Sequence, residues 1–223
     1  MWRSENMLIG SRISEIPTPA ELIKRLSAYS KIDAVMMPEK EWLRRYHYDK
    51  NWLQNGHFYK IDDSGGDHYY ILFSNAGCII KGFDHECELS PYNCCEQEPM
   101  PSCVKEHDFY KDAPLELVSL LDDPALEKDL VTFCTWRTAD DTKWHFAPSD
   151  IPKKWNDGIE TFIEYTGDIE WYCEDFKWYY SSEIDKQILQ NIFEGSPITS
   201  SVATAMNSNN SPEIILETLK KIF

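Results

Sequence analysis

The amino-acid sequence predicts an α+β fold, with a mixed or antiparallel sheet of about five strands flanked by helices and an all-helical C-terminal segment. Three observations support this class: short aromatic and β-branched runs within 57–92, a second hairpin pattern at 131–147, and helical periodicity after residue 158. The chain has 223 residues, of which 42% are hydrophobic, and this is enough for one sizeable core. We therefore expect an α+β domain over 1–150, built around the 57–92 meander, and a helical segment over 151–223 packed on it.

The stretch from His57 to Tyr92 predicts three antiparallel strands. Its apolar runs are separated by Asp-Ser-Gly-Gly-Asp and by Asn-Ala-Gly, and both connectors are typical of hairpin turns because glycine adopts positive φ without a steric clash. The strands are expected at Phe58–Asp62, Tyr69–Ser74 and Cys78–Phe83. Alternation along them predicts a core face made of Ile71, Phe73, Ile79 and the ring of Phe58.

Two helices are predicted before the meander. Thr18, Pro19 and Glu21 form a capping-box pattern in front of apolar residues at helical spacing, so a first helix is expected at about 18–29. The segment Glu39–Tyr48 gathers aromatic and leucine side chains on one side of a helical projection, which predicts a second helix.

The region after the meander mixes a loop, a helix and a hairpin. Prolines spread over 88–107 predict a long loop. The composition of 115–130 is helical but is interrupted by Pro124. Alternating residues in Val131–Arg137 and in Lys143–Ala147 predict a second hairpin that extends the sheet.

The last third of the chain predicts helices separated by glycines and by Ser-Pro pairs. Ser196-Pro197 and Ser211-Pro212 each place a capping residue before a proline suited to the first helical turn. Helices are expected at 158–165, 168–181, 185–193, 197–206 and 212–222.

The charge of the chain restricts its partners. The formal net charge is −16 and the isoelectric point is near 4.7, so Coulomb repulsion argues against binding of nucleic acid or of an anionic membrane. A basic protein partner is compatible with this charge, and the oligomeric state is left open. The absence of long apolar runs and of a signal-like N-terminus predicts a cytoplasmic location, and seven cysteines fit reduced thiols there.

Histidines and carboxylates at the predicted strand ends suggest one catalytic hypothesis. His57, His68, Asp84 and His85 are candidates for a metal-dependent hydrolase, because imidazole and carboxylate groups bind divalent metals and transfer protons. The same residue types are also common at solvated strand ends. No phosphate-binding glycine loop and no nucleophile motif occurs in the sequence, so we predict no cofactor and favour a protein without enzymatic activity.

Cysteines near the predicted loop allow a zinc site as a second hypothesis. Cys87, Cys94, Cys95, Cys103 and His107 supply the ligand types that tetrahedral zinc requires. Their spacing lacks the Cys-x-x-Cys chelate of most structural sites, so ordinary thiols and redox-sensitive disulfides are the alternatives.

The predicted helix at 168–181 carries the most informative surface. One stripe of the helix is apolar, and the opposite face is expected to bind a protein partner. Tryptophan is enriched at the energetic centres of interfaces, and acids steer basic partners. The alternative is that the tryptophans are covered by the terminal helices. The predicted partner-binding residues are Glu170, Trp171, Glu174, Asp175 and Trp178.

Several short sequence patterns carry a resemblance. They are Gly66-Asp67-His68, Lys81–Glu86, Ser90-Pro91-Tyr92, Thr132–Arg137, Asp157-Gly158 and the tail from Ile184 with Pro197-Ile198-Thr199. With these patterns the chain resembles a family of uncharacterised bacterial proteins. In size, acidity and α+β composition it is also similar to immunity and antitoxin proteins of bacterial toxin systems. The second resemblance implies a protein that neutralises a basic toxin by binding it.

Overall fold

The computed structural model describes residues 12–92, 107–148, 151 and 156–223, and this part of the chain contains six strands and seven α-helices. The strands are β1 (Tyr46–Asp49), β2 (His57–Asp62), β3 (His68–Ser74), β4 (Gly77–Phe83), β5 (Phe133–Thr138) and β6 (His145–Phe146). The helices are α1 (Pro19–Met36), α2 (Leu115–Val118), α3 (Ile159–Tyr165), α4 (Ile169–Tyr180), α5 (Lys186–Phe193), α6 (Ser200–Met206) and α7 (Pro212–Ile222). The predicted α+β class is confirmed, with antiparallel strands and helices at the C-terminal end.

The chain forms two compact units, each of which combines segments that are distant in the sequence. The first, the four-stranded unit, holds residues 65–163 with the described residues 12–16. The second, the helical unit, holds residues 17–64 and 164–223. The N-terminal helix α1 therefore belongs with the C-terminal helices, because they bury apolar side chains against each other.

The four-stranded unit is an antiparallel sheet in which β3, β4, β5 and β6 pair in chain order. On one face, the rings of Tyr69 and Phe133 lie 5.5 and 5.9 Å from the ring of Phe162. The ring of Phe133 also occupies the space beside Gly82, where an added Cβ would lie 2.1 Å from it. Glycine is therefore required at position 82 to let this aromatic ring pack on the strand.

The helical unit is organised around α1, and β1 pairs antiparallel with β2 beside it. The ring of Tyr29 stacks on that of Tyr172 at 3.9 Å with an interplanar angle of 6°. At the other end of α1, Val35 packs with Ala203 and Ile215 in a small apolar cluster. These contacts join α1 to α4, α6 and α7 and give the unit its own core.

Two predicted helices are corrected by the structure. The helix expected at Glu39–Tyr48 is wrong: a 3₁₀ turn at Glu41–Leu43 is followed, after Arg44 and Arg45, by β1. The helical composition of 115–130 produces only α2 and two 3₁₀ turns, the second of which is capped by Asp123, whose Oδ1 accepts a hydrogen bond from the amide of Ala125. Thr18 caps α1 as predicted, because its side chain accepts a hydrogen bond from the amide of Glu21, and α1 continues to Met36.

One further finding bears on the predicted partners. None of the helices in the described ranges combines the length and the apolar composition needed to cross a membrane.

Candidate partner-binding surface

Helix α4 is fixed in the helical unit by its buried stripe. Asp168 caps its N-terminus by accepting a hydrogen bond from the amide of Trp171 at 3.0 Å. Tyr172 and Phe176 are buried on the inner side, where Tyr172 stacks on Tyr29 of α1. The helical phase predicted from the sequence therefore places the inner side of α4 correctly.

Asp175, unlike the other predicted partner-binding acids, belongs to a largely buried ion pair. Its two carboxylate oxygens accept hydrogen bonds from Nη1 of Arg45 at 2.8 and 2.7 Å. The guanidinium of Arg45 also lies 4.7 Å from the ring centroid of Tyr165 and 4.3 Å from that of Tyr179. These contacts desolvate the pair and join α4 to the start of β1.

A second buried carboxylate, that of Asp33, holds the same junction. Its Oδ2 accepts hydrogen bonds from the amides of Arg45 and Tyr46 at 2.8 and 2.9 Å, and its Oδ1 accepts one from the hydroxyl of Tyr180 at 2.7 Å. Burial raises the pKa of Asp33 to about 6, although these donors stabilise the charged form. Asp33 thus connects α1, β1 and the end of α4.

The two tryptophans of α4 differ in exposure. Trp178 is 78% exposed. Trp171 is half-buried, with its ring against the backbone of Gly167 and at 6.3 Å from the ring of Tyr165. Most of the indole of Trp178 is therefore accessible to a partner, whereas only part of the Trp171 indole is accessible.

The remaining acids of this face are accessible. Glu174 is exposed, and Glu170 accepts a hydrogen bond at 2.6 Å from Lys186 on the next helix. The ion pair of Glu170 is exposed on both sides and contributes little to stability, so a partner can replace the lysine. Glu170 and Glu174 are available for binding in a way that Asp175 is not.

The 3₁₀ turn at Glu41–Leu43 extends this surface. The hydroxyl of Tyr179 donates to the backbone carbonyl of Leu43 at 2.8 Å, which fixes the turn beside the end of α4. Trp42 lies in the turn, one residue from this hydrogen bond, and is 70% exposed. Trp42 and Trp178 are thus two exposed indoles on neighbouring elements of one unit. We name Trp42, Glu170, Glu174 and Trp178 the indole–acid surface.

An open groove of about 800 Å³ continues from Trp42 along β1 and β2. Aromatic side chains form much of its wall, and the ring of Trp52 stacks on that of Phe58 at 4.5 Å. Its polar lining includes three carboxylates, two lysines and a histidine. The sequence did not predict this groove, because it forms only when the segment 46–49 is a strand rather than a helix.

The four residues predicted as candidates for a metal site each contact different neighbouring groups. His57 lies on β2, where its Nδ1 is 3.4 Å from the hydroxyl of Tyr48. In the four-stranded unit, Nδ1 of His85 is 2.9 Å from the carboxylate of Asp67. Asp84 accepts hydrogen bonds from the amides of Glu86 and Cys87 and from the hydroxyl of Thr161, and burial raises its pKa. The last candidate, His68, contacts Lys81 instead.

No group of three or more His, Cys, Asp or Glu side chains is arranged to hold a metal ion within the residues that the structure describes. The hydrolase hypothesis built on His57, His68, Asp84 and His85 therefore gains no geometric support there. Of the zinc candidates, Cys94, Cys95 and Cys103 lie outside the described residues. Cys87 is buried, which raises the pKa of its thiol to about 12 and keeps it protonated.

A fully buried lysine is the unusual group that sequence analysis missed. Lys81 of β4 is 0% exposed and donates to the backbone carbonyl of Leu126 at 3.1 Å, with His68 Nε2 at 3.3 Å and the ring centroid of Tyr70 at 5.0 Å. The signal was present in the sequence, since a lysine stands where strand alternation requires an inward side chain. Burial lowers the pKa of Lys81 to about 8.

This shift predicts a stability that rises with pH. The folded state binds the Lys81 proton less tightly than the unfolded chain does, so folding is penalised below the folded pKa of about 8 and the penalty disappears as pH rises toward the usual value of 10.5. We expect the stability difference between the wild type and Lys81→Met to shift in favour of the wild type by about 1 kcal/mol between pH 7 and pH 9.

Urea unfolding at the two pH values measures this difference. Lys111→Met, which removes an exposed lysine of the same unit, is the matched control. A difference between the wild type and Lys81→Met that does not change with pH would contradict the prediction.

Comparisons of the chain with protein-family models, with curated proteins and with solved structures each find no match. The resemblances to bacterial proteins and to immunity proteins therefore stay predictions. The functional argument rests on the geometry of the chain itself.

Proposed function

We propose that the protein is a protein-binding module that recognises a basic protein partner through the indole–acid surface. A role like that of an immunity or antitoxin protein, which neutralises a basic toxin by binding it, is the form of this proposal that agrees with the sequence resemblance. The observation that carries the proposal is the 78% exposure of Trp178 on a helix that is otherwise firmly packed. Tryptophan is among the residues most enriched at the energetic centres of interfaces, and an exposed indole on a packed helix is suited to that role.

The rigidity of α4 supports the proposal. The ion pair of Arg45 with Asp175, the hydrogen bonds of Asp33 and the stacking of Tyr29 on Tyr172 hold the helix before any partner arrives. A preorganised surface binds more tightly because less conformational entropy is lost on association. Trp178 is therefore presented in a fixed position, as an interface anchor requires.

Charge complementarity supports a basic partner. The chain carries a net charge of −16, and Glu174 and Glu170 lie about one and two helical turns before Trp178. Carboxylates around an indole attract cationic side chains and speed association at low ionic strength. Lysine or arginine residues of the partner are expected to surround the pocket that receives Trp178.

The test is quantitative affinity capture from native cells with the wild type, Trp178→Ser and Glu174→Lys. We expect a basic protein to be captured by the wild type, and its affinity to fall at least about 30-fold with Trp178→Ser, because an anchoring tryptophan contributes 2 kcal/mol or more. Glu174→Lys is expected to slow association, and the effect should shrink at high salt.

Leu115→Ser is the matched control, since Leu115 is 81% exposed but belongs to the four-stranded unit. It should leave the captured protein and its affinity unchanged. Capture of an acidic protein, or capture that is indifferent to Trp178→Ser, would refute the proposal.

A further inference from the structure

A second pocket of the helical unit has a different character from the indole–acid surface. Its volume is about 330 Å³, and it lies between Lys31 of α1, the 195–198 segment and α7. Ile198, Leu216, Leu219 and Phe223 supply apolar walls. A pocket of this size and composition is within the range of small-molecule sites in proteins.

Lys31 is the polar group of this pocket. It is half-buried, and its Nζ lies 5.2 Å from the centroid of the Phe223 ring. No carboxylate among the described residues forms an ion pair with Lys31, and burial lowers the pKa of its ammonium. Within this part of the chain Lys31 is thus a partly desolvated cation without a carboxylate in ion-pair contact, a situation that an anionic ligand would relieve.

The charge of the pocket lining indicates which charge a ligand should carry. Lys31 and Lys220 carry the two charged side chains of the lining, and both are cations, although acids outnumber basic residues by 38 to 22 in the chain. One half-buried ammonium matches a single negative charge better than a double one, since desolvation of a dianion costs more. The apolar walls favour a ligand whose remaining part is a hydrocarbon.

We propose that this pocket binds a medium-chain aliphatic carboxylate, with the hydrocarbon chain against Ile198, Leu216 and Leu219 and the carboxylate on Lys31. The geometry gives the carboxylate a charge-assisted hydrogen bond at the pocket wall and removes the chain from water. This inference is independent of the proposed function, because it uses no residue of the indole–acid surface.

Titration calorimetry of the full chain with octanoate, 1-octanol and octylamine tests the proposal. Octanoate is expected to bind with a Kd on the order of 0.1–1 mM, as befits a ligand of this size, and at least about tenfold more tightly than octylamine. Methyl NMR signals of Ile198, Leu216 and Leu219 should shift on addition of octanoate.

Variants at Lys31 separate the charge from the apolar walls. Lys31→Met should weaken octanoate at least tenfold while leaving 1-octanol within about twofold, and Lys31→Glu should reverse the preference toward octylamine. Lys24→Met, which removes an exposed lysine of the same helix, is the control. Absence of binding at 5 mM octanoate, shifts confined to other residues, or equal binding by the Lys31 variants would overturn the proposal.

Discussion

Replacement of Asp33 by alanine is expected to lower the free energy of unfolding by roughly 3–5 kcal/mol, because three buried donors lose their acceptor together. The side chain of Asp33 is 1% exposed in the wild type, so water cannot reach these donors without a rearrangement. The donors are the backbone amides of Arg45 and Tyr46 and the hydroxyl of Tyr180. The loss should appear as a lower urea midpoint with an unchanged slope.

Asp33→Asn is the matched control for this prediction. Both amides donate to Oδ2, so an amide oxygen in that place preserves both hydrogen bonds, and the hydroxyl of Tyr180 can accept one from the new amide group. The asparagine variant should therefore lose much less stability than the alanine variant. Equal losses in the two variants would show that the hydrogen bonds are not the cause.

The wild type and Asp33→Asn are also expected to differ in how their free energy of unfolding depends on pH. The folded pKa of Asp33 is about 6 and the usual value is 3.8, so the folded state binds more protons than the unfolded chain between these values. The contribution of Asp33 to stability is therefore largest near pH 4 and falls as pH rises to 6. Asp33→Asn should lack this component, which urea unfolding at pH 4.5 and pH 6.5 measures.

Local signals in the sequence predicted most elements correctly. Thr18 and Ser211 each cap a helix as the pattern predicted, whereas the cap expected at Ser196 is wrong, because α6 begins at Ser200 and its N-cap is Thr199. A cap and the helix that it begins lie within a few residues of each other, so a short window of sequence contains the whole interaction. The hairpin turns were predictable for the same reason.

Elements decided by distant residues were not predictable. The segment Glu39–Tyr48 has helical spacing, but Asp33 holds the amides of Arg45 and Tyr46, and β1 pairs with β2. Those amides therefore donate to a side chain on another element rather than to carbonyls four residues earlier. Tertiary contacts outweigh the small differences in helix propensity.

The candidate surface likewise combines residues whose environment local sequence predicts and residues whose environment depends on the rest of the fold. Helical phase was sufficient to place Trp178 outside, because exposure follows from the buried stripe of the same helix. It was not sufficient for Asp175, whose partner Arg45 is 130 residues away in the sequence. The ring of Trp171 lies against the backbone of Gly167, a contact that helical phase alone does not indicate.

Replacement of Asp175 by alanine is the second large effect that we expect, at about 3–5 kcal/mol of destabilisation, because it leaves the guanidinium of Arg45 buried and unpaired. Only 4% of the Arg45 side chain is exposed, so solvent cannot replace the carboxylate. Glu174→Ala, which removes an exposed neighbouring acid, should change stability by less than about 0.5 kcal/mol. Thermal and urea unfolding distinguish the two variants.

A double-mutant cycle then separates the ion pair from the packing of its parts. In Arg45→Met combined with Asp175→Ala no charge is left unpaired, so we expect the double variant to be more stable than Asp175→Ala alone. Additive losses would mean that the pair contributes no coupling energy and that Arg45 acts through its stacking on Tyr165 and Tyr179 instead. Strong coupling would confine binding tests of this surface to Glu170, Glu174 and Trp178, because a change at Asp175 would disturb α4 itself.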